Sequence, residues 1–217
     1  ADGYACTSQG PVVCAQDDAG TCTTGSDTSK IKCTTPAAYH GVDADGNPPG
    51  LLRMNGLPAL GAVPASAYEL RNVTKLVLKG NAITEIAALD HMVALEVLDA
   101  SENQLKAFPP ALPPSLVELD LSENLIAEVP DCVGVLVNVV NVSLFKNQIS
   151  KMTEKIGECG SLSELNVFNN KLIKLPKGLS ACAALTHLNV GGNKIKTLPN
   201  ADAWTEMVEI KAHQNGI

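Results

Sequence analysis

"ELDLSENLI", residues 118–126, decides how the rest of this chain is read. Leu119 and Leu121 stand two residues apart, the alternation of a short strand with one buried face. Asn124 then interrupts the apolar run, and Ile126 resumes it. A polar amide at that point suits a bend. Where the chain leaves the strand and turns inward, backbone N–H and C=O groups would be buried without partners. An asparagine side chain brings donors and an acceptor to that place.

The pattern recurs in "KLVLKGNAI" (75–83), "VLDASENQL" (97–105), "NVSLFKNQI" (141–149), "ELNVFNNKL" (164–172), "HLNVGGNKI" (187–195) and "EIKAHQNGI" (209–217). Its asparagines are Asn81, Asn103, Asn124, Asn147, Asn170, Asn193 and Asn215, a period of 21 to 23 residues. One short strand cannot bury its apolar side alone, so the copies must stack and share a continuous core. The asparagines then form a structural ladder with no ligand role.

From about Val73 to Ile217 the motif L-x-x-L-x-L-x-x-N-x-L resembles the leucine-rich-repeat family. Aliphatic–proline pairs in "QLKAFPPALPPSL" (104–116), "LIAEVPDCVGVLVNV" (125–139) and "LIKLPKGLSACAAL" (172–185) match its typical 23-residue class. The plant-type signature N-x-L-x-G-x-I-P is absent, so that subclass's ligands are not carried over. The resemblance implies an α/β repeat fold: a right-handed solenoid with a parallel concave β-sheet and an irregular or short-helical convex side. Proline fixes φ and lacks a donor, which suits that convex side.

Three regions follow. Residues 1–50 are a Cys-rich N-terminal region, 51–72 a degenerate half-repeat or N-terminal cap, and 73–217 seven repeats, the last incomplete. The first region is rich in Gly, Asp, Ser and Thr and poor in aliphatics, so it cannot build a core; disulfides are its natural staple. Cys6, Cys14, Cys22 and Cys33 are expected to form two of them. Four cysteines allow three pairings, which stay open here. Zinc ligand pairs stand closer together than these. Disulfides imply an oxidising compartment, and the resemblance agrees, because extracellular repeat proteins often carry such a cap. Cys159 and Cys182 occupy equivalent positions in adjacent copies, where Leu136 stands one copy earlier, and are expected as buried thiols.

The chain has 217 residues, 45% of them hydrophobic but only 3% aromatic, as an aliphatic repeat core requires. A net charge of −7 argues against nucleic acid or anionic membrane as the main partner. No apolar run is long enough to span a membrane. Starting at Ala1 without a leader, the chain reads as a processed or trimmed form. "NVT" at Asn72 and "NVS" at Asn141 are glycosylation sequons in a secreted chain, although a glycan on Asn141 would stand on the concave face. "DADGN" (43–47) begins like a calcium loop, but Pro48 and Met54 break the pattern, so a polar turn is expected. His40, His91, His187 and His213 join no catalytic constellation, and no phosphate loop follows a strand. The chain is read as a non-enzyme without cofactor or metal.

Strand alternation places rows three, five, seven and eight of each copy on the concave face. These are Val97, Asp99, Ser101 and Glu102; Glu118, Asp120, Ser122 and Glu123; Asn141, Ser143, Phe145 and Lys146; and Glu164, Asn166, Phe168 and Asn169. His187, Asn189, Gly191 and Gly192 follow, then Glu209, Lys211, His213 and Gln214. Seven strands make a sheet roughly 29 Å across, wide enough for a protein partner. Asp99, Glu102, Glu118, Asp120 and Glu123 would steer a basic partner. Phe145 and Phe168, in equivalent rows of adjacent copies, would anchor it. The first functional expectation is an extracellular recognition module, either a receptor ectodomain or a secreted binder, holding a protein or peptide on this face. The alternatives are a structural subunit of an extracellular assembly and an intracellular signalling scaffold. At the C-terminal edge Ile210 and Ile217 would lack a covering copy, so further repeats or a partner chain are expected there.

Overall fold

Every copy folds as a three-residue strand followed by the predicted bend. The computed structural model describes residues 5–8, 31–34, 50–54, 56, 60–68, 71 and 73–216. In it the strands are β3 (Leu51–Arg53), β4 (Lys75–Val77), β5 (Val97–Asp99), β6 (Glu118–Asp120), β8 (Asn141–Ser143), β10 (Glu164–Asn166), β11 (His187–Asn189) and β12 (Glu209–Lys211). They form one eight-stranded sheet in chain order, and all its pairings are parallel. The register is regular: Leu98 pairs with Leu119 and Leu119 with Val142. Row-four residues from Leu52 to Leu188 therefore stack coil on coil and are buried, joined by row-six Leu78, Leu121, Leu144, Val167 and Val190.

The array begins one coil earlier than the asparagine pattern marks it. β3 pairs in parallel with β4, and Leu52 and Met54 are buried in the common core. Residues from 51 therefore supply a strand of their own, not only the back half of a repeat. The sequence hides this because the row-nine position of that coil is Leu57 where its successor has Asn81.

On the opposite side the coils close through 3-10 helices Asp131–Val135, Glu154–Glu158 and Lys177–Ala181, with a two-stranded parallel ladder of β7 (Glu128–Val129) and β9 (Lys151–Met152) beside them. Pro130 and Pro176 precede two of the helices, where a missing N–H leaves no intrahelical bond unmade. Thr153 precedes the third; its hydroxyl accepts from the Lys155 N–H and donates to Asp131 in the coil before.

The ladder asparagines behave as the bend requires. Asn124 Oδ1 accepts from the Leu105 N–H at 2.9 Å, and its Nδ2 donates to the carbonyls of Ala100 (3.0 Å) and Leu121 (3.1 Å). Asn103, Asn147, Asn170 and Asn193 repeat this, each joining its own bend to the preceding coil. Asn215 makes the same bonds but is only half-buried. Its coil has an exposed β12, with Ile210 38% and Val208 73% accessible. Ile217 lies outside the described residues. The convex part of that coil is filled by Trp204, whose indole N–H donates to the Leu179 carbonyl at 3.1 Å.

Row eight carries a demand that the motif does not show. Gly80, Glu102, Glu123, Lys146, Asn169, Gly192 and Gln214 all have positive φ, between 52° and 70°. For an L residue that conformation costs about 1–2 kcal/mol, and glycine avoids it. Glu102→Gly should therefore melt no lower than the native chain, although it loses the exposed Lys79 ion pair, while Glu102→Val should be about 1–2 kcal/mol less stable than the glycine variant. Thermal unfolding followed by circular dichroism checks both; a valine variant as stable as glycine would remove the backbone argument.

Cys159 and Cys182 are buried free thiols, as expected, each donating to a carbonyl of the coil before at 3.3 Å. Burial pushes Cys159 up to about 12 and Cys182 up to about 11, so both are protonated thiols at neutral pH. Because the thiolate is the nucleophile, both should resist alkylation in the native chain and react on unfolding. Mass-resolved iodoacetamide labelling at pH 8 with and without denaturant measures this; fast native labelling at either position would contradict their burial. Cys132 is half-buried, and burial pushes its thiol up too.

In the N-terminal region β1 (Ala5–Ser8) and β2 (Ile31–Thr34) pair antiparallel, and the register sets Cys6 directly opposite Cys33. β2 lies next to the short 3-10 turn Ala65–Ala67 of the first coil. Cys14, Cys22, Asn72 and the 43–47 turn lie outside the described residues.

Candidate functional site

The concave sheet forms a shallow trough. Its main cavity, of about 340 Å³, runs across β5, β6, β8 and β10 and is lined by Asp99, Glu118, Asp120, Asn141, Ser143, Glu164 and Asn166, with Lys75 at one end. A second hollow of about 190 Å³ shares Glu164 and Asn166 and continues past His187 and Asn189 to Glu209 and Lys211. The expected row-three and row-five residues are therefore brought together in one continuous groove.

The carboxylates are not equivalent. Glu102 pairs with Lys79 at 3.0 Å and Glu123 with Lys146 at 3.2 Å, so two of the five expected acids are neutralised within the sheet. Asp99 accepts from the Ser101 N–H and hydroxyl, and Asp120 from the Ser122 N–H at 2.9 Å. Asn166 and Asn189 make the same contact with the N–H groups of Phe168 and Gly191. Row five is thus a second structural ladder, holding the backbone two residues on in an Asx turn. Its signal in the sequence is Asp or Asn two residues before the bend in four copies, a signal the strand pattern alone does not separate from a ligand row. Glu118 and Glu164 are exposed, and their carboxylates make no ion pair or hydrogen bond among the described residues. The unpaired negative charge of the groove therefore rests on Asp99, Glu118, Asp120 and Glu164.

Row seven corrects one expectation. Ser101 and Ser122 are each 2% accessible and Gly191 is buried, so none presents a contact surface. A side chain of two heavy atoms does not project past the bend, and Ser101 turns back onto Asp99. The larger residues of the row do project. Phe145 and Phe168 are half-exposed and His213 is exposed. His213 reaches Phe168 across the intervening coil, with ring centroids 5.6 Å apart. Gly191 makes that possible, because a methyl group there would stand 2.8 Å from the imidazole. Lys146 lies 5.8 Å over the Phe145 ring. An aromatic ledge thus borders the acidic groove. Asn169 is exposed on its rim, in the left-handed conformation of row eight. Asn141 lies within the groove, so a glycan there would occupy it.

This geometry matches known repeat proteins. A leucine-rich-repeat protein of Leptospira interrogans superposes with a TM-score of 0.68 and 27% sequence identity, covering 71% of this chain and 40% of that one. The chain has the leucine-rich-repeat fold. A solved octameric complex of Latrophilin 3, Unc5D and FLRT2 matches with a TM-score of 0.59 over 78% of this chain and 63% of the other; at 19% identity it shows the shared fold alone. Among curated sequences, fibromodulin of Sus scrofa is 39% identical over 71 residues, 32% of this chain. The leucine-rich-repeat chain spans about half that relative's length, 48%. No protein-family model matches it. Among the described residues no cluster of three or more His, Cys, Asp or Glu could hold a metal ion, and no helix is long and apolar enough to cross a membrane.

Proposed function

We propose that this leucine-rich-repeat chain is an extracellular protein-recognition module that holds a basic protein or peptide segment in its concave groove. One observation carries the reading: four carboxylates without an ion pair among the described residues line a continuous trough bordered by an aromatic ledge of half-exposed Phe145 and Phe168 with His213. Carboxylates of one sign steer a cationic partner and fix its register, and exposed aromatics supply the desolvated anchor. Neither set forms a nucleophile–base pair, so the groove is given a binding role and no catalytic one. The occurrence of a repeat domain of this fold in a complex of three different proteins supports protein partners.

Extracellular placement draws on the N-terminal cysteines. Cys6 and Cys33 face each other across the β1–β2 ladder, the backbone arrangement a cross-strand disulfide needs, which leaves Cys14 to pair with Cys22. Non-reducing peptide mapping should recover those two linkages. Free thiols at all four positions would remove the extracellular reading.

The groove is tested by capture from native material with the immobilised chain, beside a variant carrying Glu118→Lys and Glu164→Lys and another carrying Phe168→Ala. The native chain should retain a partner through a basic segment. The double lysine variant should lose it, and the alanine variant should weaken it by about 1–2 kcal/mol. Equal retention by all three would exclude the concave face.

A further inference from the structure

The charges of this chain are separated along the solenoid as well as between its faces. Residues 85–131 hold ten carboxylates against one lysine, whereas 132–201 hold eight lysines against three carboxylates. Between Glu164 and Asp202 there is no acidic residue at all. Of those eight lysines, Lys146 and Lys155 are in ion pairs. The other six, Lys151, Lys171, Lys174, Lys177, Lys194 and Lys196, are exposed and make no ion pair among the described residues. They lie beyond the ladder asparagines, on the bend and convex side, away from the groove. Lys151 and Lys174 are equivalent in adjacent coils, as are Lys171 and Lys194. They form a basic flank.

The flank and the groove cannot neutralise each other within one molecule, since they lie on different faces of a rigid stack. Between two molecules they can. Both sets of charges are generated by the same coil repeat, so lysines and carboxylates recur along the solenoid at a common interval of about 4.8 Å. Asp99 and Asp120 stand one coil apart, as do Lys151 and Lys174 and also Lys171 and Lys194, so a pair of one kind can align with a pair of the other. We propose that the acidic groove of one copy takes the basic flank of a second copy, in a head-to-tail contact. This rests on the groove being a binding face, and it names the partner as the chain itself. Such a contact uses different surfaces on the two molecules, so it leaves one groove and one flank open at the ends and permits chains or rings. A separate polyanion is the competing occupant of the flank. It would use the flank alone, whereas a second copy uses both unpaired sets at once.

Sedimentation of the purified full chain tests this at about 0.1 M and about 1 M salt, where the screening length falls from about 10 Å to about 3 Å. The weight-average mass should at least double at the lower salt and return to the monomer at the higher. Two variants then separate the surfaces. In the groove variant, Asp99→Asn and Asp120→Asn keep the oxygen that holds each bend while Glu118→Gln and Glu164→Gln remove charge. The flank variant carries Lys151→Gln, Lys171→Gln, Lys174→Gln and Lys194→Gln. Each variant alone should be monomeric with a native circular dichroism spectrum and melt, and an equimolar mixture should form a dimer and nothing larger. A native chain that is monomeric at both salts overturns the proposal, as does association that survives in either variant alone. A native chain that stays monomeric yet binds a polysulfated glycan through the flank also overturns it and assigns the flank to a polyanion. Capture of a foreign partner by a strictly monomeric chain leaves the groove a binding face and removes only the second copy.

Discussion

Asn124→Ala should lower the stability of this solenoid by about 1–3 kcal/mol while leaving its concave surface chemically unchanged. The asparagine is 5% accessible, and its amide serves two coils at once. Without it the buried Leu105 N–H loses its acceptor, while the carbonyls of Ala100 and Leu121 keep one amide donor each, from Asn103 and Asn147. Each buried group left unsatisfied costs about 1–3 kcal/mol, which exceeds any single surface contact in the molecule. For a chain of this size that is a fall in melting temperature of roughly 2–12 °C. Asn124→Asp should do no better. It keeps the acceptor for Leu105 but sets a carboxylate against two carbonyl oxygens. Asn215→Ala is the internal comparison: it deletes the same bonds in a half-buried place where water can replace them, so its loss should be under about 1 kcal/mol. Thermal and urea unfolding of the three variants measure this. Superimposable curves for Asn124→Ala and the native chain would mean that the ladder does not hold the bends.

Gly178→Ala should be the most damaging single methyl on the convex side. A Cβ there would stand 2.0 Å from the backbone oxygen of Glu154 in the preceding coil, and one on Gly157 would stand 2.3 Å from the backbone oxygen of Gly178. No side-chain rotation relieves either overlap, because both obstructing atoms are main chain. The 3-10 helices Glu154–Glu158 and Lys177–Ala181 would have to separate, opening the core held by Ile156 and Leu179. Overpacking of this kind costs about 1–3 kcal/mol. Since both glycines lie in one seam, the double variant should lose less than the sum of the singles. Gly160→Ala is the control. Its Cβ would meet nothing within 4 Å, and its melt should match the native chain. If Gly178→Ala and Gly160→Ala melted alike, the close seam between these helices would not exist in solution.

The groove was partly legible before any coordinates. Strand alternation depends on residues two apart, so Glu118, Asp120, Glu164 and Asn166 could be placed on the concave face from their spacing alone. That they share one trough then follows from a coil repeat with regular register. Which carboxylates are available could not be read in this way. Glu102 and Glu123 differ from Glu118 through lysines 23 residues away, Lys79 and Lys146, that the coil brings to within 3.2 Å. Asp99 and Asp120 share a row with Ser143 and Lys211, and only the bend geometry shows that the first two hold backbone N–H groups.

The sequence by itself determined the repeat, its strands, the buried rows and the asparagine ladder. Each of these is set by a short-range period, and the seven copies vote for the same one. Tertiary structure alone decided the features that depend on one coil meeting the next. It added the strand at Leu51–Arg53, whose coil has leucine and not asparagine at the row-nine position. It buried Ser101 and Ser122 in a row that also holds two exposed aromatics, and it let His213 touch Phe168 over the gap at Gly191. It seated Trp204 in the convex part of the last coil and left six lysines without an ion pair among the described residues. The physical reason is common to all of them. A period fixes where a side chain points, but what that side chain meets is chosen by a residue one coil away, whose size and charge the period leaves open.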